Sequence, residues 1–457
     1  MDPVMSRPAP ISRRHIIAGL GAGLAAPFVL RSPAARAASG APIIVIGAGI
    51  AGLSAAHALR GAGHTVIVLE ANGRIGGRID TDRSLGVAVE RGANWIHGIS
   101  GNPLTDIAKR AGAALAVTDN ESLTVFGARG ETIADAELGR AESRYSDMLA
   151  EIDEELEASD DQPLATALRD IDAGFLKDPV MRWVSSSTED DVGAPIEAAS
   201  AYYFDEDEVF PGADAILPDG YDAVLAPLAI DLDIRLTTPV TRITQGDGRV
   251  IVETPDGPVD GAQAICAVPL GVLKAGNITF DPPLPDGHAD AIKRIGFGTV
   301  TKAAVAFDAP FWPIQTQFFG HLDETRGRWP TTFNLRPSTG RNILMMIATG
   351  AYAQRADAMD PGALKADLTA VLRAMFGDGT PEPAGIVASA WSRDPHTLGA
   401  YSFPAVGSKA ADFDHLAKSV SETLSFAGEH VGFAYHGTAH GAHLSGLKAA
   451  ATVLQRL

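Results

Sequence analysis

Three glycines, Gly47, Gly49 and Gly52, follow the apolar run Ile43 to Ile46 and open a helical pattern that continues through Ser54 to Arg60. Glycine at the first position allows a tight turn. At the second it lets a pyrophosphate approach the backbone, and at the third it lets helix and strand pack closely. The helix start would offer free N–H groups and a positive dipole to phosphates. A second apolar run, Thr65 to Leu69, ends at Glu70, 18 residues after Gly52. An acid there is placed to accept hydrogen bonds from a ribose. Strand, turn, helix, strand and acid in register predict a dinucleotide site. Next come Arg74, Ile75, Gly76, Gly77 and Arg78. The glycine pair permits a second close backbone pass, and Arg78 can neutralise phosphate charge.

The glycine doublet after the acid resembles the FAD-dependent amine oxidase family, where it marks FAD rather than NAD. Other segments share the likeness across nearly all of the chain after residue 37. Glu90 to Gly98 resembles the G-A-x-W-I-H-G stretch of polyamine oxidases. Phe280 to Pro285, Gly296-Phe297-Gly298 with Lys302, and Phe311-Trp312-Pro313 match the family's central run. Trp391 to Ser402, Phe426 to Glu429 and Tyr435 to Gly446 match its last three motifs. The pattern is similar to spermine and N-acetylpolyamine oxidases more than to mitochondrial monoamine oxidases.

The resemblance implies roles. Lys302 is expected to meet flavin N5 through a water, where a cation assists flavin chemistry; a strand lysine facing solvent is the plainer alternative. Tyr401 is expected to wall the amine's path, with Thr438 where monoamine oxidases carry a tyrosine. Trp391 either packs on the ring system or is a core tryptophan. His97 either meets a substrate amine or water or is structural. Glu429 is expected at the ribityl or pyrophosphate region, and Val240 is counted with the cofactor contacts. The helix from near Thr438 would aim its N-terminus at the flavin, where its dipole stabilises negative charge. Ala400 stands where covalent enzymes carry the flavin-bound cysteine, so non-covalent FAD is expected. No metal is expected: His436 and His440 have i, i+4 spacing with His443 nearby, but no third-ligand pattern accompanies them.

The expected activity is oxidation of an amine, in particular a polyamine, by hydride transfer to flavin N5. It would give an aldehyde, a smaller amine and hydrogen peroxide, with oxygen as acceptor. The alternatives are an L-amino-acid oxidase, which needs an arginine clamp such as Arg336 could supply, a periplasmic amine dehydrogenase using a carrier, and a flavin-bound scaffold without turnover.

Composition and address set bounds. At 457 residues the chain is too long for one ordinary core. The expected fold class is α/β: a Rossmann-type FAD-binding domain, p-hydroxybenzoate-hydroxylase-like, with an interleaved α+β substrate domain. The FAD-binding domain is expected from 38–100, 218–292 and 396–457, and the substrate domain from 101–217 and 293–395. Residues 1–37 are expected to be a twin-arginine signal peptide. Arg13 and Arg14 precede a stretch broken by Gly19, Gly21, Gly23 and Pro27, and Ala35-Arg36-Ala37 is a cleavage pattern. An uncleaved anchor is the alternative. The expected destination is the periplasm or the medium, reached through the twin-arginine export machinery as a folded protein. No later segment reads as membrane-spanning.

The net charge of −19 argues against nucleic acid and suits a cationic small molecule. The single cysteine, Cys266, excludes an internal disulfide and reads as a small core residue. Among the other elements, Ala134 to Leu156 has a helical stripe of Leu138, Tyr145, Met148, Ile152 and Leu156. Strands are expected at Ile234 to Leu236, Val240 to Ile243, Val250 to Glu253 and Gln263 to Val268, with a hairpin at Gly246-Asp247-Gly248. A second, largely antiparallel sheet is expected from Thr299–Phe307, Phe318–Leu322, Thr331–Leu335 and Ile343–Thr349. Pro361 to Phe376 reads as a helix. The acids Asp205 to Glu208 read as a solvated loop, with attraction of a polycation at a tunnel mouth as the alternative.

Overall fold

A computed structural model describes residues 40–457. The expected export leader lies outside the described residues. In chain order, the strands that frame the site are β1 (Ile43–Ile46), β2 (Val66–Leu69), β3 (Leu123–Phe126), β4 (Asp233–Arg235), β5 (Gln263–Cys266), β6 (Thr301–Ala306), β7 (Phe318–His321), β8 (Thr331–Asn334), β9 (Ile343–Ala348), β10 (Gly385–Ala388) and β11 (Leu424–Phe426). The helices are α1 (Ile50–Gly61), α2 (Asp135–Glu155), α3 (Pro179–Val192), α4 (Gly350–Asp357), α5 (Pro361–Phe376) and α6 (Ala439–Leu454).

One sheet is parallel throughout, in the order β11-β5-β1-β2-β4. The central strands β1 and β2 read as unbroken apolar runs because both faces are covered, whereas the edge strand β4, Asp233-Ile234-Arg235, is largely exposed. Ile43, Val45 and Val68 face a core shared with α1 and α6, while Ile44, Ile46, Leu69 and Cys266 face a second core on the other side. Each such side chain, fully buried, contributes roughly 1.5–3 kcal/mol relative to exposure.

The other large sheet runs β10-β6-β9-β8-β7-β3 and is antiparallel apart from the β3–β7 pair. Period-two alternation gives β6 two faces. Ala303 and Val305 join the core under α4 and α5, whereas Val300 packs with Ile347 and Ala400 on the opposite side. Lys302 shares parity with Val300, so it stands on that second face. On α2 the expected stripe of Leu138, Tyr145, Met148 and Ile152 is buried, and Leu156 is partly so. On α5, Pro361 to Phe376 forms as expected, capped by Asp360 through Gly362 and Ala363.

The hairpin at Gly246 to Gly248 also forms. Asp247 and Gly248 both have positive φ, which fits a two-residue type I′ turn. Several strand ends shift by one or two residues, and two larger shifts have a local cause. The first helix begins at Ile50, earlier than the side-chain pattern from Ser54 indicates, because the glycine turn itself supplies its N-cap. The strand expected at Val240 starts at Arg242. Pro239 has no N–H to give a ladder, and Pro239 and Val240 instead line a cavity.

Candidate active site

The turn after β1 shows why its glycines are glycines. Gly47 has φ +102°, and a Cβ on Gly52 would sit 1.9 Å from the Gly47 carbonyl oxygen. Helix and turn therefore touch backbone to backbone, and the open N–H groups of the first turn of α1 face the space beyond. Glu70, buried at the end of β2, accepts from Ala48 N at 2.7 Å and from Asn72 N at 2.8 Å. It thus clamps the glycine turn, a task the sequence did not reveal, and it also lines the cavity described next. Gly76 N donates to Ala48 O at 2.8 Å and brings the second glycine turn against the first.

These elements border a cavity of about 690 Å³. It is lined by the glycine turn, Glu70 and Val240, by the first turn of α6, and by Lys302, Trp391 and Tyr401. That volume lies in the range of cofactor and ligand sites. The glycine cradle, the helix starts of α1 and α6 and the buried acid Glu70 at the end of β2 suit a flavin dinucleotide, so the residues present fit FAD.

Arg78 does more than wait for phosphate. Its Nη1 donates to Glu429 Oε1 at 2.7 Å and to Ala400 O at 2.8 Å. The other Glu429 oxygen accepts from Ser402 and from Gly437 N at 3.1 Å. Burial alone would raise this carboxyl. The neighbouring Arg78, His430 and the Ser402 hydrogen bonds outweigh burial and bring it down to about 2. Glu429 is therefore a fixed anion that joins two cavity walls.

Lys302 points its Nζ at the carbonyl of Gly92, 2.6 Å away, and 5.1 Å from the ring centre of Trp95. Burial pushes its ammonium down to about 8, against the opposing pull of Asp190 and Glu90. Trp391 is buried, as a core tryptophan would be, and it also lines the cavity. Its Nε1 donates to Arg91 O at 2.9 Å.

Tyr401 donates its hydroxyl to the backbone oxygen of Asp190, near the end of α3. Gly193, left-handed at φ +65°, lets the chain pass beside the ring: a Cβ there would lie 2.7 Å from it. Thr438 caps α6. Its hydroxyl accepts from Gly441 N at 2.9 Å and donates to Tyr435 O at 2.8 Å. His97 stands at the cavity's solvent-facing rim, with 56% of its side chain exposed and Nδ1 2.9 Å from Asp214.

Three cavity-lining acids escaped the sequence reading: Asp190, Asp191 and Asp214. Burial, reinforced by Asp191, pushes the Asp190 carboxyl up to about 6 while Lys302 and His97 pull it back. The two aspartates could have been flagged by the D-D-V-G helix ending, but Asp214 carries no local signal. The loop Asp205 to Glu208 is a correction. Asp205 and Asp207 are buried, and Asp207 and Glu208 line the cavity. Phe204 anchors the loop in the core, and Tyr435 donates its hydroxyl to Glu208 at 3.0 Å. His436, His440 and His443 each have other neighbours, namely Phe433 O, Asn102 and Ser54. Among the described residues no group of His, Cys, Asp and Glu is arranged to hold a metal. Arg336 bonds Asn342 and does not line the cavity.

Residues 50–454 match the family model described as flavin containing amine oxidoreductase. Among curated proteins, the probable polyamine oxidase 4 of Arabidopsis thaliana is 34% identical over 432 residues, covering 89% of this chain and 86% of that one. Polyamine oxidase 4 of Oryza sativa subsp. japonica is 33% identical, covering 95% and 92%. The lysine-specific histone demethylase 1 homolog 2 of Arabidopsis thaliana is also 34% identical, but only 58% of it is covered. A solved putrescine oxidase, a triple mutant with redesigned cofactor binding, shares the fold with a TM-score of 0.73 at 22% identity, covering 91% of this chain and 99% of that one. The cofactor is FAD, and the chain belongs to the flavin-containing amine oxidase family.

Proposed function

We propose that this amine oxidase acts on a polyamine. Two electrons leave the carbon beside a nitrogen, water adds to the resulting imine, and an aldehyde and a smaller amine depart. Oxygen takes the electrons and becomes hydrogen peroxide. FAD, when bound, supplies the two-electron acceptor.

The observation that carries this reading is the acidity of the cavity: Asp190, Asp191, Asp207, Glu208 and Asp214 all line it. Such a set attracts a multiply charged cation and holds its distal ammonium groups. The Lys302 ammonium works in the opposite sense at the reaction centre. A like charge disfavours a protonated amine beside it, so the nitrogen that reacts enters uncharged. Tyr401 and Trp391 supply apolar walls that exclude water. Substrate selection against amino acids has a basis in the arginines. Of those lining the cavity, Arg78 pairs with Glu429 and Arg91 with Asp80, at 2.7 Å each, so the charge of each already has an acidic partner. Non-covalent cofactor attachment is supported by Ala400, which offers no nucleophile. We further propose export by the twin-arginine route, on the strength of Arg13, Arg14 and the Ala35-Arg36-Ala37 pattern.

Peroxide release measured with spermine, spermidine, putrescine, monoamines and L-amino acids tests the reading. Turnover of polyamines is expected. Peroxide from amino acids alone would overturn the substrate class, and reduction without peroxide would replace oxygen by another acceptor.

A further inference from the structure

The segment Glu90-Arg91-Gly92 meets both halves of the site. Arg91 O accepts from Trp391, and Gly92 O accepts from Lys302. On the other side, Ala93 N donates to Arg78 O at 3.1 Å, and a Cβ on Gly92 would lie 1.7 Å from that same oxygen. The segment has no slack, so whatever fixes Glu90 also fixes the carbonyl that holds the lysine. Glu90 is itself fixed. Its side chain is buried, accepts from Thr81 Oγ1 at 2.9 and 2.8 Å, and accepts from Tyr221 N at 2.8 Å.

We propose that Glu90 is a positioning residue for Lys302: its buried carboxylate sets the Gly92 carbonyl in place and supplies the negative charge that keeps the Lys302 ammonium protonated. The inference rests on the role given to Lys302 above.

The charges around the pair are few. Lys302 faces Glu90 and Asp190. Glu90 faces Lys302, Asp222, Arg83 and the Tyr221 phenol. Burial pushes the Glu90 carboxyl up to about 7, although Tyr221 N, Thr81 and Lys302 pull the other way. Burial likewise pushes the Lys302 ammonium down to about 8, and each group's charge favours the charged form of the other. Above neutrality both groups carry charge without touching directly, and removing the carboxylate charge must lower the lysine further.

The test is the pH dependence of the flavin midpoint potential in the holoenzyme, read for the parent, Glu90→Gln, Lys302→Met and the double variant. Gln keeps an oxygen for Tyr221 N and removes the charge. The alkaline inflection should fall by on the order of one pH unit in Glu90→Gln, vanish in Lys302→Met, and be unaffected by Glu90→Gln once Lys302 is Met. Glu90→Asp should retain most of it. An unmoved inflection in Glu90→Gln, with loss of it in Lys302→Met, overturns the Glu90 proposal alone. A Glu90→Gln effect that persists in the double variant also overturns it. An inflection that survives Lys302→Met sinks the lysine's role itself. If Glu90→Gln yields no holoprotein, Thr81→Val takes its place: loss of that donor should move the inflection the same way by less, and no movement overturns the proposal.

Discussion

Arg78 and Glu429, 351 residues apart in sequence, meet at 2.7 Å across the cofactor cavity. Arg78 also holds Ala400 O, and Glu429 also holds Ser402 and Gly437. The turn after the dinucleotide fingerprint is thereby tied to the C-terminal motif that faces it. The link has a pH signature. The Glu429 carboxyl sits at about 2, below its unfolded value near 4.3. Its contribution is present above the unfolded value and is lost as pH falls from about 4 toward 2. FAD fluorescence should appear in solution across that window. Arg78→Met leaves a buried carboxylate uncompensated and costs about 3 kcal/mol, so release should start at higher pH. An identical release curve would refute the link.

Lys302→Met removes the only lysine lining the cavity among the described residues. FAD should stay bound, and flavin reduction or reoxidation should slow by about 10²- to 10³-fold. Rapid-mixing absorbance checks this; unchanged rates would strip Lys302 of its role.

Gly52→Ala places a methyl 1.9 Å from Gly47 O. The helix must back away from the turn, and the phosphate cradle opens with it. The purified variant should be colourless or weakly yellow and melt several degrees lower. Full flavin content would contradict the close-approach argument.

Asp190→Asn removes one cavity anion beside Lys302. The kcat/KM for a polyamine should fall about tenfold, close to 1.4 kcal/mol, with a smaller loss for a monoamine that has no distal charge. Equal losses for both would mean that Asp190 is structural.

Acid denaturation should leave FAD in the supernatant, because Ala400 offers no sulfur for attachment. Flavin in the pellet that resists washing would show a covalent bond.

What could be read from the sequence was local. The run Ile43 to Ile46, Gly47 and Gly52 each carry their reason within a few residues, and so do the hairpin at Asp247-Gly248 and the helix that starts at Pro361. Lys302 was reached through neighbouring motif residues, while its partner Gly92 lies 210 residues away. The features that escaped depend on such distant pairings. Glu70 gripping Ala48 N needs the turn folded over the strand end. Asp214 reaches His97 only because two distant loops meet at the rim. The acids at 205 to 208 looked solvated because sequence charge says nothing of Phe204 pinning their loop inward.

The most direct check mixes the yellow holoprotein with spermidine in the absence of oxygen and follows the oxidised-flavin absorbance. The account predicts rapid bleaching by the polyamine and none by L-amino acids. Bleaching by amino acids alone, or by no amine at all, would contradict it.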